Sequence, residues 1–345
     1  MNRYLRNALR LAVGLSITAG VTVPGPANGQ EKIKISMVHI GPSTTPTTTE
    51  TIGVLKANLE ATGKADVTMY GSGSAYSNPT KFFELVEVGV VDIAFAVHQF
   101  EPGRFPLGLL AGEPFITNDH VKGTRAFLRT VRNTPELLAE FKPNRILMVG
   151  LASAEQIHAR KPIRSIDDLK GARVLAINPI VLSMIREVGG TVVALPQPAQ
   201  YENFQKGVID ASSSSWAATI AFRTIEVTNA HLETNSIATP IYIIMNQKKY
   251  DSLPPDLKKI VDDFSTEDSA ARIAAVWDKV DAMGIDEAKK RGHLITTMSL
   301  AERAALRKRF QHLADARIAE LEKKGLPARK IYDALSKAMA AEDAR

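Results

Sequence analysis

The chain contains no cysteine, which excludes disulfides, thiolate metal centres and a cysteine nucleophile. It has no G-x-S-x-G turn to raise a serine nucleophile, and no H-E-x-x-H or other paired metal-ligand spacing. Its seven histidines are scattered. No basic stripe interleaved with aromatics appears, so nucleic acid is not an expected partner. Past the N-terminal segment, no uncharged apolar run approaches the roughly 20 residues that a membrane-spanning helix needs. No catalytic set, metal or cofactor is therefore expected.

What is present reads as a globular protein: 345 residues, 45% hydrophobic and 23% charged, enough for two ordinary domains or one large one. The first 29 residues stand apart. "MNRYLRNALR" carries Arg3, Arg6 and Arg10 without an acid, "LAVGLSITAGVTV" is apolar, and "PGPANGQ" offers Ala27 and Gly29 at the small positions before a cut. This is the pattern of a secretory signal peptide, and it implies export to the periplasm of a Gram-negative bacterium. Removing it takes away three arginines, so the net charge falls from +6 to +3.

After the leader the chain repeats itself. "KIKISMVHI" (32–40) alternates as a strand, 50–63 has helical spacing, "ADVTMY" is a second strand, "TKFFELVEVG" a helix, and "VVDIAFAV" a nearly continuous apolar strand of the kind buried in parallel sheets. A helical stretch at 121–141 and the strand "RILMVGLA" (145–152) follow. The order then recurs: "SIDDLKG" as a short capped helix, "ARVLAI", "NPIVLSMIREVGG", "TVVAL", "QPAQYENFQKG" and "VIDASSS". The junctions "VEVGVVDIA" and "FQKGVIDAS" nearly coincide. In each, Gly ends the helix, an apolar pair enters the sheet and Asp92 or Asp210 stands at the strand's start. "TPIYIIMNQ" (239–247) is a further strand. Asp251 and Ser252 precede two prolines as a helix start. Amphipathic helices are expected over 266–291, 299–324 and 328–341, with solvated charged faces.

The pattern predicts two similar α/β lobes around a ligand cleft, with long C-terminal helices. The lobes are residues 30–152 with about 241–280, and 153–240 with about 281–345. Ligands bind beyond the carboxyl ends of such strands. That directs attention to His39, His98 and His158 near strand ends, Tyr76 in the loop "GSGSAYSNP", and Asn178 heading a helix. It also selects Ser214 in the run Ser212–Ser215, Trp216 at the end of a strand as either core packing or a wall that stacks on a ligand, and Tyr242. Asn78-Pro79 reads as a helix cap whose N-terminus faces either solvent or an anion.

Several segments, in order, resemble the solute-binding proteins of TRAP (tripartite ATP-independent periplasmic) transporters. They are "GRFPLGLLAGEPF", "KPIRSIDDLKGARV", "GGTVVALPQPAQYENFQKGVID" followed by Trp216, "FRTIEVTNAH" and "YDSLPPDLKKIV". The resemblance covers most of residues 31–290. It implies a periplasmic binding protein that closes on a small organic acid and delivers it to a membrane permease driven by an ion gradient.

One departure bears on the ligand. The family's carboxylate-binding arginine falls on Leu175, in Gly171-Ala172-Arg173-Val174-Leu175, and its asparagine after the second repeat falls on Ser214. Leucine cannot supply a two-pronged charged contact. Either His39, His158, Arg160 or a helix N-terminus holds a carboxylate, or Leu175 and Trp216 face a less charged, more apolar ligand. The combined expectation is an aromatic or otherwise hydrophobic organic acid. An exported enzyme on the same scaffold and a sensor for a membrane receptor are the alternatives.

Overall fold

The computed structural model describes residues 31–344 apart from 72, 118, 194 and 196. The expected signal peptide lies outside the described residues. Among the described residues, eleven strands form two mixed sheets. The first sheet takes β1 (Ile33–His39), β2 (Ala65–Tyr70), β3 (Ile93–Val97) and β4 (Arg145–Ala154). The second takes β5 (Gln156–Ala159), β6 (Arg173–Leu175), β7 (Thr191–Val193), β8 (Ala211–Ser214) and β9 (Ala230–Glu233). Then β10 (Ala238–Met245) returns to the first sheet and β11 (Leu294–Thr297) to the second, giving the orders β2-β1-β3-β10-β4 and β11-β9-β5-β8-β6-β7.

The two orders match over five strands, and β11 is an extra edge strand of the second sheet. In each, three parallel strands built by strand–helix crossovers (β2-β1-β3 and β7-β6-β8) are followed by one antiparallel strand, β10 or β5, that the chain enters directly after crossing from the other lobe. The expected α/β lobes are present, and β3 is buried along its whole length. The short strands β5, β9 and β11 were not anticipated. Trp216 opens the helix Trp216–Ala221 rather than ending a strand. Asp251 and Ser252 close the helix Gln247–Ser252, and Pro254 caps the helix Pro255–Phe264 that follows.

The repeated junction has one construction in both lobes. The helix Phe82–Glu87 ends with Gly89 at φ 77°, and Gln200–Gln205 with Gly207 at φ 68°. This is the left-handed region where glycine has no Cβ penalty. Val90 N–H donates to Leu85 O (2.9 Å) and Val208 N–H to Asn203 O (2.8 Å), the same six-residue closure. Only the second residue of each apolar pair enters the core: Val91 and Ile209 are fully buried, whereas Val90 and Val208 are 49% and 40% exposed.

The next residue ties two strands together. Asp92 N–H donates to Ser36 O (3.0 Å), and its carboxylate accepts from Ser36 N–H (2.8 Å). Asp210 N–H donates to Arg173 O (2.8 Å), and its carboxylate accepts from Arg173 N–H (2.9 Å). Each aspartate thus latches the lobe's first strand to its third strand.

The chain crosses between lobes four times, the last along the helix Leu300–Lys323, whose Leu306 and Phe310 join the second lobe's core and whose Ile318 and Leu321 join the first's. A single residue, Glu155, separates β4 from β5. The crossing from β9 to β10 runs beside it: Glu155 N–H donates to Ile237 O (2.7 Å), Thr234 Oγ1 donates to Glu155 O (3.2 Å), and Gln156 Nε2 donates to Asn235 Oδ1 (2.6 Å). The third crossing is the 24-residue helix Glu267–Lys290, which packs on β4 and on the helix Trp216–Ala221. A Cβ at Gly284 would lie 3.0 Å from Trp216 O, so glycine permits that approach. The helix Ala328–Asp343 packs on the first lobe, where Ile331, Leu335 and Met339 join its core.

Candidate functional site

A cavity of ≈ 660 Å³, part of it open to solvent, lies between the two sheets. It sits at the carboxyl ends of their parallel strands: Ile40 and Gly41 follow β1, Phe95 and Val97 belong to β3, Ile177 follows β6, Ser214 ends β8 and Ser215 follows it. This is the position expected for a ligand site in open α/β sheets. The first lobe gives it a mainly apolar wall, including Phe95, Ile241 and Trp277. The second lobe gives it Glu155, Ser214, Ser215 and the helix Trp216–Ala221, whose Ala217, Ala218 and Ala221 keep the floor open.

Among the described lining residues, Glu155 is the one ionisable side chain. It is 4% exposed. Ser213 Oγ donates to its Oε2 (2.6 Å), Thr239 Oγ1 donates to its Oε1 (3.0 Å), and the Asn178 side chain adds a third hydrogen bond. Burial raises its carboxyl above the ordinary range, and those three bonds only partly offset the effect.

Of the residues singled out from the sequence, Ser214 lines the cavity and Asn178 touches Glu155 while capping the helix Pro179–Glu187 through Ile180 N–H (3.1 Å). His158 stands directly behind. Its Nε2 is 3.0 Å from Ser214 O, its Nδ1 2.8 Å from His231 Nδ1, and His231 Nε2 is 3.0 Å from His293 Nδ1. A carbonyl only accepts, so neutral His158 carries its hydrogen on Nε2. His231 must then donate from Nδ1, and His293 from Nδ1. One carbonyl fixes three tautomers. Burial pushes His158 down to about 4, which keeps the relay neutral.

Trp216 is buried behind the cavity, with its ring 5.0 Å from His158 and 4.5 Å from His231, and donates Nε1–H to Glu233 (3.0 Å). The tryptophan that lines the cavity is Trp277. Leu175 is 0% exposed and packs with Phe204 and Ile209 rather than on the cavity. Arg160 is exposed beyond the far end of β5, beside Asp210, while Gln156 at the near end pairs with Ser214.

In the first lobe, His39 immediately precedes the lining residue Ile40, and its Nε2 lies 3.0 Å from Ser43 Oγ. The loop bearing Tyr76 packs nearby: a Cβ at Gly71 would fall 2.7 Å from His39 Cε1, and Tyr76 meets Tyr70 edge-on at 5.0 Å. His98 and Tyr242 lie elsewhere, in an aromatic cage with Phe105 and Phe141, where Tyr242 Oη donates to Glu101 (3.0 Å). Burial pushes His98 down to about 3. Glu155 escaped the sequence reading. Its signal was there: it is the one acid in the otherwise uncharged run "ILMVGLASAEQIHA" (146–159), at the point where the chain changes sheets.

This two-sheet architecture and cleft have a family. The family model for bacterial extracellular solute-binding protein, family 7, matches residues 37–321. The chain belongs to this family, the TRAP solute-binding proteins.

Relatives place the fold further. The outer membrane transporter protein TsaT of Comamonas testosteroni is 25% identical over 201 residues, 56% of this chain and 59% of that protein. The match thus spans less than two thirds of that relative. A TRAP solute-binding protein of Rhodoferax ferrireducens T118, crystallised with copurified benzoate, superposes with TM-score 0.85 at 21% identity, covering 91% of this chain and 99% of the other. A marine metagenome TRAP solute-binding protein with 3-hydroxybenzoate gives 0.84 at 24% identity, covering 90% and 99%. At these identities the superpositions show the fold. Among the described residues, no helix is long and apolar enough to cross a membrane.

Proposed function

We propose that this TRAP solute-binding protein is exported to the periplasm, captures a small organic acid with an aromatic or hydrophobic body between its lobes, and hands it to a membrane permease. The observation that carries this reading is the interlobe cavity, walled by Phe95, Ile177, Phe222, Ile241 and Trp277. A flat ring buries well on such a wall, and aromatic contacts add about 0.5–1.5 kcal/mol beyond area. The benzoate and 3-hydroxybenzoate held by two proteins of the same fold agree with it. The paired crossings at Glu155–Gln156 and Thr234–Ile237 form the hinge, and lobe closure completes the site.

The chain is a binding subunit and not an enzyme on this reading. Among the described lining residues Glu155 is the one ionisable group, and its serine partner Ser213 gives its hydroxyl hydrogen to that carboxylate, with no histidine between them. A thermal-shift screen of the mature protein with benzoate, 3-hydroxybenzoate, mandelate and aliphatic hydroxy acids tests the assignment. A bound ligand at about 100 times its Kd adds about 2.7 kcal/mol of stability. Aromatic acids are expected to shift the transition furthest, and a panel in which no acid shifts it rejects the reading.

A further inference from the structure

We propose that Glu155 receives the ligand's carboxyl group and that the two share a single proton, making capture by this cleft proton-linked. The inference rests on the organic-acid reading above. A carboxylate entering this cavity meets no cation among the described lining residues. It meets instead a carboxyl group fixed by Ser213, Thr239 and Asn178, so it cannot swing away into solvent. Two ionised carboxylates cannot lie together in an apolar enclosure; one proton between them converts repulsion into a short charge-assisted hydrogen bond. The balance is simple. Carboxylate ligand, Glu155 and one proton give a bound pair with one negative charge, and no covalent bond forms or breaks. The Ser214 hydroxyl, buried at the cavity wall without a protein partner, supplies a second donor for the charged pair.

Most titratable groups around the cavity are committed to partners of their own. His158 on β5 is committed to Ser214 O and His231. His39 beyond β1 is 3.0 Å from Ser43, and Tyr242 on β10 is bonded to Glu101. Asp281 on the crossing helix accepts from Ala217 N–H (2.7 Å), and burial pushes it up to about 7; Asp281→Asn is therefore the control, and proton uptake that vanishes in this variant overturns the assignment to Glu155. Arg145 on β4 pairs with Asp262, and Glu187 on the helix after Asn178 pairs with His312. No charged side chain figures among the influences on Glu155, which are burial and three neutral hydrogen bonds.

The experiment is calorimetric titration of the mature protein with benzoate from about pH 5 to 9, in phosphate and in Tris, whose protonation enthalpies differ. The expected result is a plateau of affinity at low pH, followed by weakening of about tenfold per pH unit once free Glu155 ionises. Proton uptake should approach one per benzoate in that second range. Glu155→Gln, whose amide donates at every pH, should bind with a flat profile and no uptake. A flat wild-type profile without uptake across the range overturns the proposal while leaving the organic-acid reading standing. Tighter binding of benzylamine than benzoate also overturns it, because Glu155 then acts as a bare anion. If no acid in the screen binds at any pH, the functional reading itself has failed. Should Glu155→Gln not fold, the wild-type profile and buffer dependence decide alone.

Discussion

The two lobes share a strand order and a joint, yet bring opposite things to the cleft. The first lobe contributes apolar walls; the second contributes Glu155, Ser214 and the histidine relay behind them. At the joint the backbone exchange is the same, with Asp92 bonded to Ser36 and Asp210 to Arg173. Beyond the backbone, Asp92 adds the Ser36 hydroxyl (3.0 Å) and Lys249 at 3.5 Å, whereas Asp210 takes a two-pronged bond from the Arg173 guanidinium. Topology therefore requires a carboxylate at this point and leaves its side-chain partner free. The same freedom operates at β6: Arg173 serves the joint, and Leu175, two residues on, serves the core.

The sharpest break of that comparison is Leu175→Arg, which introduces the arginine that the family resemblance implies at this position. Leu175 packs with Phe204 and Ile209 and does not line the cavity. The new charge is buried without a partner, and the expected loss is at least about 3–5 kcal/mol, read as a collapsed urea midpoint. A stable Leu175→Arg protein that binds benzoate more tightly would show that β6 can present this position to the ligand.

The joint itself gives a smaller, paired test. Asp92→Ala removes the acceptor of the Ser36 amide in a largely enclosed position, and should cost about 2–3 kcal/mol. Asp210→Ala acts on a more exposed pair, where water replaces the carboxylate, and should cost about 1 kcal/mol. Equal losses in urea unfolding would mean that the guanidinium clamp matters as much as burial does.

Much of this was written in the chain. The order of strands and helices, the duplicated junction and the C-terminal helices follow from period and from glycine placement. The direction of β10 does not, because antiparallel insertion between β3 and β4 depends on how the chain crosses lobes, which local pattern does not encode. β5, β9 and β11 are four residues each, with His158, His231 and the threonines of "LITT" breaking any apolar run. In the site, Ser214, Asn178 and His158 were legible as residues at strand ends and helix starts. Trp216 and Trp277 were not separable, since a tryptophan in a wall and one behind it look alike in sequence. Glu155 carries no motif, and only its isolation in an uncharged run distinguishes it.

Two buried histidines sharpen the comparison most finely, because His98 in the first lobe and His158 in the second are held neutral for different reasons. His98 sits in an aromatic cage, and His158 heads a hydrogen-bonded relay. Both have folded-state values below the ordinary histidine value of about 6.5, His98 at about 3 and His158 at about 4. Between those values and 6.5 the unfolded chain binds more protons than the folded one. The stability that each neutral ring contributes is thus complete above about pH 6.5 and lost as pH falls, by up to about 1.4 kcal/mol per pH unit per group. Phenylalanine at either position removes one such slope between pH 6.5 and 4. His98→Phe fits the cage and should cost no more than about 1 kcal/mol at neutral pH. His158→Phe strands the Ser214 carbonyl and the His231 donor, and should cost about 1–3 kcal/mol there. Urea midpoints across that pH range separate the two contributions. A His158→Phe protein as stable as wild type at neutral pH would mean that the relay is a consequence of packing and not a cause of it.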